Sequence, residues 1–148
     1  MAFHFPLQSI LQLRRSEEHQ QELRLRAIHQ QITRLRHGIE QLEAQIQQIR
    51  KDASERLQMR AVAAELRFSL LCEQSVRQHA LRIETDLERL NNLREQQQRI
   101  FQQARRERET LENLRDQQFA QFCLGRERRQ QRSLDDLFLQ GRAFRKHS

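Results

Sequence analysis

The chain has no tryptophan or tyrosine, one proline and only three glycines in 148 residues. Its length would allow an ordinary globular domain, but so few turn-formers and large core residues argue against one. Its two cysteines, Cys72 and Cys123, lie far apart with no C-x-x-C spacing. A disulfide framework is therefore not expected, and a reducing cytoplasm fits. No apolar run approaches the roughly 18 residues needed to cross a bilayer. The opening Met-Ala-Phe-His-Phe-Pro also lacks the basic-then-apolar order of a signal peptide. A soluble, cytoplasmic protein is expected. The marks of catalysis are missing as well, with no G-x-S-x-G and no Walker-type glycine loop. Six histidines (His4, His19, His29, His37, His79 and His147) include no i, i+4 pair and no H-E-x-x-H that would put two metal ligands on one helix face. No enzymatic activity, metal or cofactor is expected.

What is present is a helix former's composition, rich in Gln, Glu, Arg and Leu, with 36% hydrophobic and 32% charged residues. Low hydrophobicity and high charge also suit disorder, but a sustained period does not. Leu25, Ile28, Ile32, Leu35, Ile39, Leu42, Ile46, Ile49 and Ala53 follow one another in strictly alternating steps of three and four. A straight α-helix repeats every 3.6 residues, so a 3.5-residue stripe calls for a partner helix wound against it. Extrapolated backwards, the register passes through Glu18 and Gln21. Gly38 lies inside the stripe beside Ile39. It serves either a close backbone approach or nothing more than a tolerated surface position.

The pattern breaks after Ala53, near the turn-prone Asp52 and Ser54, with Leu57 and Ala61 offset. A second apolar row runs through Ala64, Phe68, Leu71, Val76, Ala80, Ile83, Leu87 and Leu90. It then weakens through Leu93, Gln97, Ile100, Ala104, Leu111 and Leu114. Two arrangements fit: one helix near 120 residues pairing with another chain, or two helices folded back on each other. The central break favours the fold-back. The expectation is an all-α, long antiparallel two-helix coiled-coil hairpin with a basic C-terminal extension, forming a single domain over 1–148. Helix 1 would span about 6–53, beginning at Pro6, with a turn within 52–62 and helix 2 over about 62–124. A basic tail at 125–148 would follow, Gly125 ending or kinking helix 2. Ser133 and Asp136 have the spacing of a capping box for a short terminal helix with Leu134, Leu137 and Phe138. Each arm would be about 75 Å long at 1.5 Å per residue. A pivot near residue 58 would set position 25 opposite about 91 and the N-terminus opposite about 113.

Charge is uneven along the chain. Residues 1–50 hold seven basic and five acidic groups, 51–125 thirteen and twelve, and 126–148 seven and three. The body is nearly balanced, as solvated helix faces are, and the tail carries most of the excess. Arg105, Arg106, Arg108, Arg126, Arg128, Arg129 and Arg132 are dense enough to meet phosphates. They are interleaved with Glu107, Glu109 and Glu127 and belong to no recognised reading module. No nucleic-acid partner is expected.

Both ends carry a likeness. Phe3-His-Phe-Pro-Leu-Gln-Ser-Ile-Leu-Gln-Leu-Arg14 resembles the start of the FliJ family of flagellar type III export proteins. Gln130-Gln-Arg-Ser-Leu-Asp-Asp-Leu137 with Arg142-Ala-Phe-Arg-Lys146 resembles that family's terminal basic stretch. The resemblance implies a stalk-like component of the flagellar protein export apparatus. Such a component binds the hexameric export ATPase, promotes its assembly and activity, and touches the export gate's cytoplasmic domain and the export chaperones. It would sit in the cytoplasm, peripheral at the inner membrane through these partners. For the ATPase, the projecting charge and exposed apolar residues point to the open end: Phe3, Phe5, Leu7, Arg128, Arg129, Arg132, Leu134, Asp135, Arg142 and Arg145. For the gate, the resemblance points to the facing arms nearer the turn: Leu42, Gln45 and Ile49 on helix 1 and Phe68, Cys72, Ser75 and His79 on helix 2. A virulence-system stalk protein and a generic coiled-coil scaffold or dimeriser are the alternatives.

Overall fold

The computed structural model describes residues 2–60 and 62–147. Two helices account for nearly all of them: α1 (Gln8–Gln58) and α2 (Ala63–Lys146). They pack against each other as an antiparallel hairpin, and the described residues include no strand. The chain divides into two compact units, Met1–Glu18 with Gln103–Ser148, and His19–Gln102.

In the unit His19–Gln102, cross-helix partners run in opposite directions along the two helices. Gln21 meets Gln97, Gly38 meets Ile83, and Arg50 meets Glu73. The pivot therefore lies between Met59 and Val62, a little later than residue 58. The α1 row from Gln21 to Ala53 is turned inward as its period requires, Ile32 and Leu42 being buried. On α2 the inward row is Leu66, Ser69, Glu73, Val76, Ala80, Ile83, Leu87, Leu90, Arg94, Gln97 and Phe101. This too steps strictly by three and four. It corrects the expected second row at both ends, since Phe68, Leu71, Leu93 and Ile100 all face solvent. The register is set by the strong block from Val76 to Leu90. It carries Ser69 and the paired Glu73 inward at one end and Arg94 and Gln97 at the other, rotating the neighbouring apolar residues out.

α1 continues one turn past Ala53, because Asp52 accepts a hydrogen bond from Gln48 one turn earlier (3.0 Å) and stays helical. The reversal is made without glycine. Arg60 takes a left-handed conformation (φ 57°), the geometry that commonly ends helices and is usually left to glycine. The Arg60 amide bonds the Leu57 carbonyl at 3.2 Å. Ala61 lies outside the described residues. Glu65 in the first turn of α2 and Arg56 in the last turn of α1 complement the helix dipoles.

The expected end of helix 2 near residue 124 is not found. α2 passes through Gly125 and Ser133 to Lys146, so the would-be capping box sits in a helix interior, where backbone amides already have partners. Arg129 Nε donates to the Gly125 carbonyl, and Gln131 Nε2 to Asp135 one turn on.

At Gly38 the nearest atom to an added Cβ is a side-chain methyl, Ile83 Cδ1 at 3.8 Å, so no backbone approach depends on the glycine. Gly38→Ala is expected to stabilise the protein by about 0.5–1 kcal/mol through helix propensity, read as a higher midpoint in urea.

Candidate functional site

In the unit formed by the two chain ends, Pro6 and Leu7 make the turn that leads into α1, and the Gln8 amide bonds the Phe5 carbonyl at 3.1 Å. The chain before that turn closes over α2. The Phe3 ring stands edge-on to Phe119 (5.2 Å) and is tilted against Phe122 (5.5 Å), contacts favoured by the aromatic quadrupole. Phe3 thus lies against residues 119–122, not 113, so the overhang starts later than the expected pairing gave. Phe5 is 4% exposed and Leu11 0%. Phe5, expected as an exposed docking residue, is instead a packing residue that holds the N-terminal segment in place.

Behind this apolar cap, charged pairs join α1 to α2. Arg14 Nη1 bridges Glu17 (3.0 Å) and Glu107 (2.6 Å). Arg108 donates to Glu18 across the pair and to Glu112 on its own helix (2.6 Å), and Arg15 reaches Glu112 at 2.9 Å. Every cation in this cluster has a carboxylate, which offsets the desolvation of partly covered charges. Gln21 and Gln97 make the equivalent polar pair within the unit His19–Gln102 (2.7 Å).

The hydrogen bond from Arg15, helped by Arg108, holds the Glu112 carboxyl below its ordinary value of 4.5. Arg50, with Arg77, does the same for Glu73. A carboxyl with a depressed folded-state pKa contributes stability above its unfolded pKa and loses it as pH falls through the folded value. Stability should hold from pH 7 to about 4.5 and then drop. Thermal melts at pH 7 and pH 3 check this, with Glu112→Gln and Glu73→Gln each shrinking the difference.

Beyond residue 125 every described residue of α2 is exposed, Leu134, Leu137, Phe138, Leu139 and Phe144 included. Arg128, Arg132, Asp135 and Arg142 fall within about a quarter of the helix circumference at 100° per residue. Arg129 and Arg145 lie about 100° to either side of this face, with Leu134 slightly farther round beside Arg145.

The proposed gate residues in the unit His19–Gln102 divide in two. Leu42 is 9% exposed and belongs to the core. Gln45, Phe68, Ser75 and His79 face solvent. Ile49, Phe68 and Cys72 come together with Asp52, Arg56 and Ser69 around a groove of about 150 Å³. A larger groove, about 370 Å³, is lined by Ile49, Arg50, Ala53, Ser54, Leu57, Leu66, Ser69, Leu70 and Glu73. Leu66 and Leu70 were not singled out from sequence, and Leu57 was noted only as offset from the first stripe. The available signal was the inward register read back from Val76, which leaves Leu70 beside the seam.

The comparison with known families bears on nearly the whole chain: the family described as "Flagellar FliJ protein" matches residues 3–148. The chain belongs to the FliJ family. No curated protein and no solved structure matches it. This FliJ-family chain is therefore a flagellar export-related protein. Among its described residues no helix is long and apolar enough to cross a membrane, and no group of three or more His, Cys, Asp or Glu is placed to hold a metal.

Proposed function

We propose that this chain serves flagellar protein export as a stalk. It binds the hexameric export ATPase through its open end, promotes its assembly and hydrolysis, and connects it to the export gate and substrate chaperones. These partners would hold it at the cytoplasmic face of the inner membrane. The observation that carries the reading is the end of α2: helical to Lys146, exposed all round after Gly125, and basic by seven groups to three. A rigid, positively charged projection suits an acidic protein recess, and charge complementarity there would speed and orient docking. Arg128, Arg132, Asp135 and Arg142 share the face that would meet the ATPase. Arg129, Leu134 and Arg145 flank it, while Phe3, Phe5 and Leu7 position the helix from behind. For the gate, Gln45, Phe68, Cys72, Ser75 and His79 offer the surface, with Ile49 and Leu42 supporting it.

The test is hydrolysis by the cognate export ATPase with and without the purified chain. Stimulation by the unaltered chain is expected, and a fall of at least fivefold in that stimulation for Arg128→Glu/Arg132→Glu/Arg142→Glu with helicity retained. Equal stimulation by the altered chain would contradict the assignment.

A further inference from the structure

Near the turn, the α1–α2 seam has two flanks, and the heptad register separates them. On one, Cys72 and His79 immediately precede the inward Glu73 and Ala80, and Asp52 precedes Ala53. This flank carries the surface assigned to the gate. On the other, Leu70 and Arg77 follow the inward Ser69 and Val76, and Arg50 follows Ile49 with Leu57 seven residues on. The groove of about 370 Å³ lies on this second flank. It opens because Ala53 and Ser69 are small residues at seam positions, and Leu57, Leu66 and Leu70 form its walls. Leu57 and Leu70 are 62% and 60% exposed, so the apolar walls are left without a partner in the chain.

The charge bordering the groove is of one sign. Positions 47, 50, 54 and 57 on α1 and 67, 70, 74 and 77 on α2 include Arg50, Arg67 and Arg77 and no carboxylate. The carboxylate in the groove's lining is Glu73, 14% exposed, and it already accepts from both Arg50 (2.9 Å) and Arg77 (2.7 Å). Two guanidinium groups therefore share one carboxylate. Arg67, exposed, has no carboxylate partner among the described residues. It stands ten residues before Arg77, about 15 Å along α2, so positive charge brackets the apolar walls. The flank that carries Cys72 differs, with Asp52 and Glu65 against Arg56.

This layout selects the occupant. A second copy docked groove to groove would set arginines against arginines. We propose that the groove is a docking site for an amphipathic helix of another protein, with apolar residues at i, i+4 and i+7 bracketed by acidic residues about three turns apart. A third helix laid over the seam of an antiparallel pair meets both bordering rows at once. Its apolar residues would fill the space above Ala53 and Ser69 between Leu57, Leu66 and Leu70. Its carboxylates would meet Arg67 at one end and the excess charge of Arg50 and Arg77 at the other, fixing register. The site goes beyond the stalk reading because it uses neither the open end nor the gate flank, so all three surfaces can be engaged together.

The probe is a fluorescent 18-residue amphipathic peptide with leucines at i, i+4 and i+7 between two glutamates three turns apart. It is titrated into the full chain and read by anisotropy, beside a control peptide with lysine in place of both glutamates. Saturable binding is expected, at least tenfold tighter for the glutamate peptide. It should weaken at least tenfold in Leu57→Ser/Leu70→Ser and be unmoved by Phe68→Ser on the gate flank. Arg67→Glu should weaken it at least fivefold and recover a peptide whose matching glutamate is lysine. All these positions are exposed, so each variant's helicity should be unchanged. The proposal is overturned by absent or non-saturable binding, by equal binding of the lysine peptide, or by loss in Phe68→Ser instead of Leu57→Ser/Leu70→Ser. Sedimentation of the chain alone forms a parallel arm. Self-association that needs Leu57 and Leu70 while the peptide is inert would overturn the proposal in favour of a second copy. ATPase stimulation should be kept in Leu57→Ser/Leu70→Ser and lost in Arg128→Glu/Arg132→Glu/Arg142→Glu, so this proposal and the stalk reading fail separately.

Discussion

Leu11→Ala is expected to destabilise the paired chain ends by about 2–4 kcal/mol, the range for emptying a closed apolar site. Leu11 has no exposed surface, and Phe5 nearby in sequence is almost as well covered. Few other apolar residues are buried in this unit, Ala104 being one, so little apolar volume can collapse into the space. Hydrogen exchange should show the effect: amides of residues 8–18 and 104–118 exchange much faster in the variant. Amides of residues 28–46 and 76–90, in the other unit, should change least. Equal loss of protection in both groups would mean that the chain ends have no apolar anchor of their own.

The second large effect is electrostatic. Arg108→Glu removes the cation between Glu18 and Glu112 and adds a third carboxylate among them. Arg108 and Glu18 retain only 20% and 18% of their side-chain exposure, so solvent screens the change incompletely. A cost of about 1–3 kcal/mol is expected, below that of breaking a fully buried pair. The exchange Glu18→Arg/Arg108→Glu should recover part of it. Recovery stays incomplete because the carboxylate introduced at position 108 would then face Glu112 one turn away, a like-charge pair that costs a few tenths of a kcal/mol. A double-mutant cycle on denaturation midpoints measures the coupling. Additive costs, with no recovery in the exchange, would show that Glu18 and Arg108 do not meet.

These two positions also explain what could be read from the sequence. The α1 stripe was plain because Leu25 to Ala53 puts an apolar residue at every inward position, and its backward extension to Gln21 and Glu18 was correct. The α2 stripe keeps the same strict spacing but fills it with Ser69, Glu73, Arg94, Gln97 and Arg108. A search for apolar residues therefore slid onto Phe68, Leu71, Leu93 and Ile100, which are exposed. The missing information was pairing. Gln97 and Arg108 are acceptable inside only because Gln21 and Glu18 face them, and such matches become visible only once the two strings are laid antiparallel. The turn was hidden for a related reason: Arg60 adopts a backbone conformation normally signalled by glycine. Gly125 misled in the opposite direction, because one glycine costs a long helix only about 1 kcal/mol. At the open end, charge and exposure were legible from composition. The burial of Phe5 was not, because it depends on the N-terminal segment closing over α2.

The most direct measurement of the folded-back pairing is a distance between spin labels at Gln41 and Gln78, both exposed positions in the unit His19–Gln102. Cys72 and Cys123 would be replaced by serine, and labelled chains diluted with unlabelled ones so that only intramolecular pairs are read. Helix axes 8–10 Å apart predict a single narrow distribution near roughly 20–25 Å once the label arms are included. A distribution centred near ~55 Å, the span of 37 residues in one continuous helix, would contradict the hairpin.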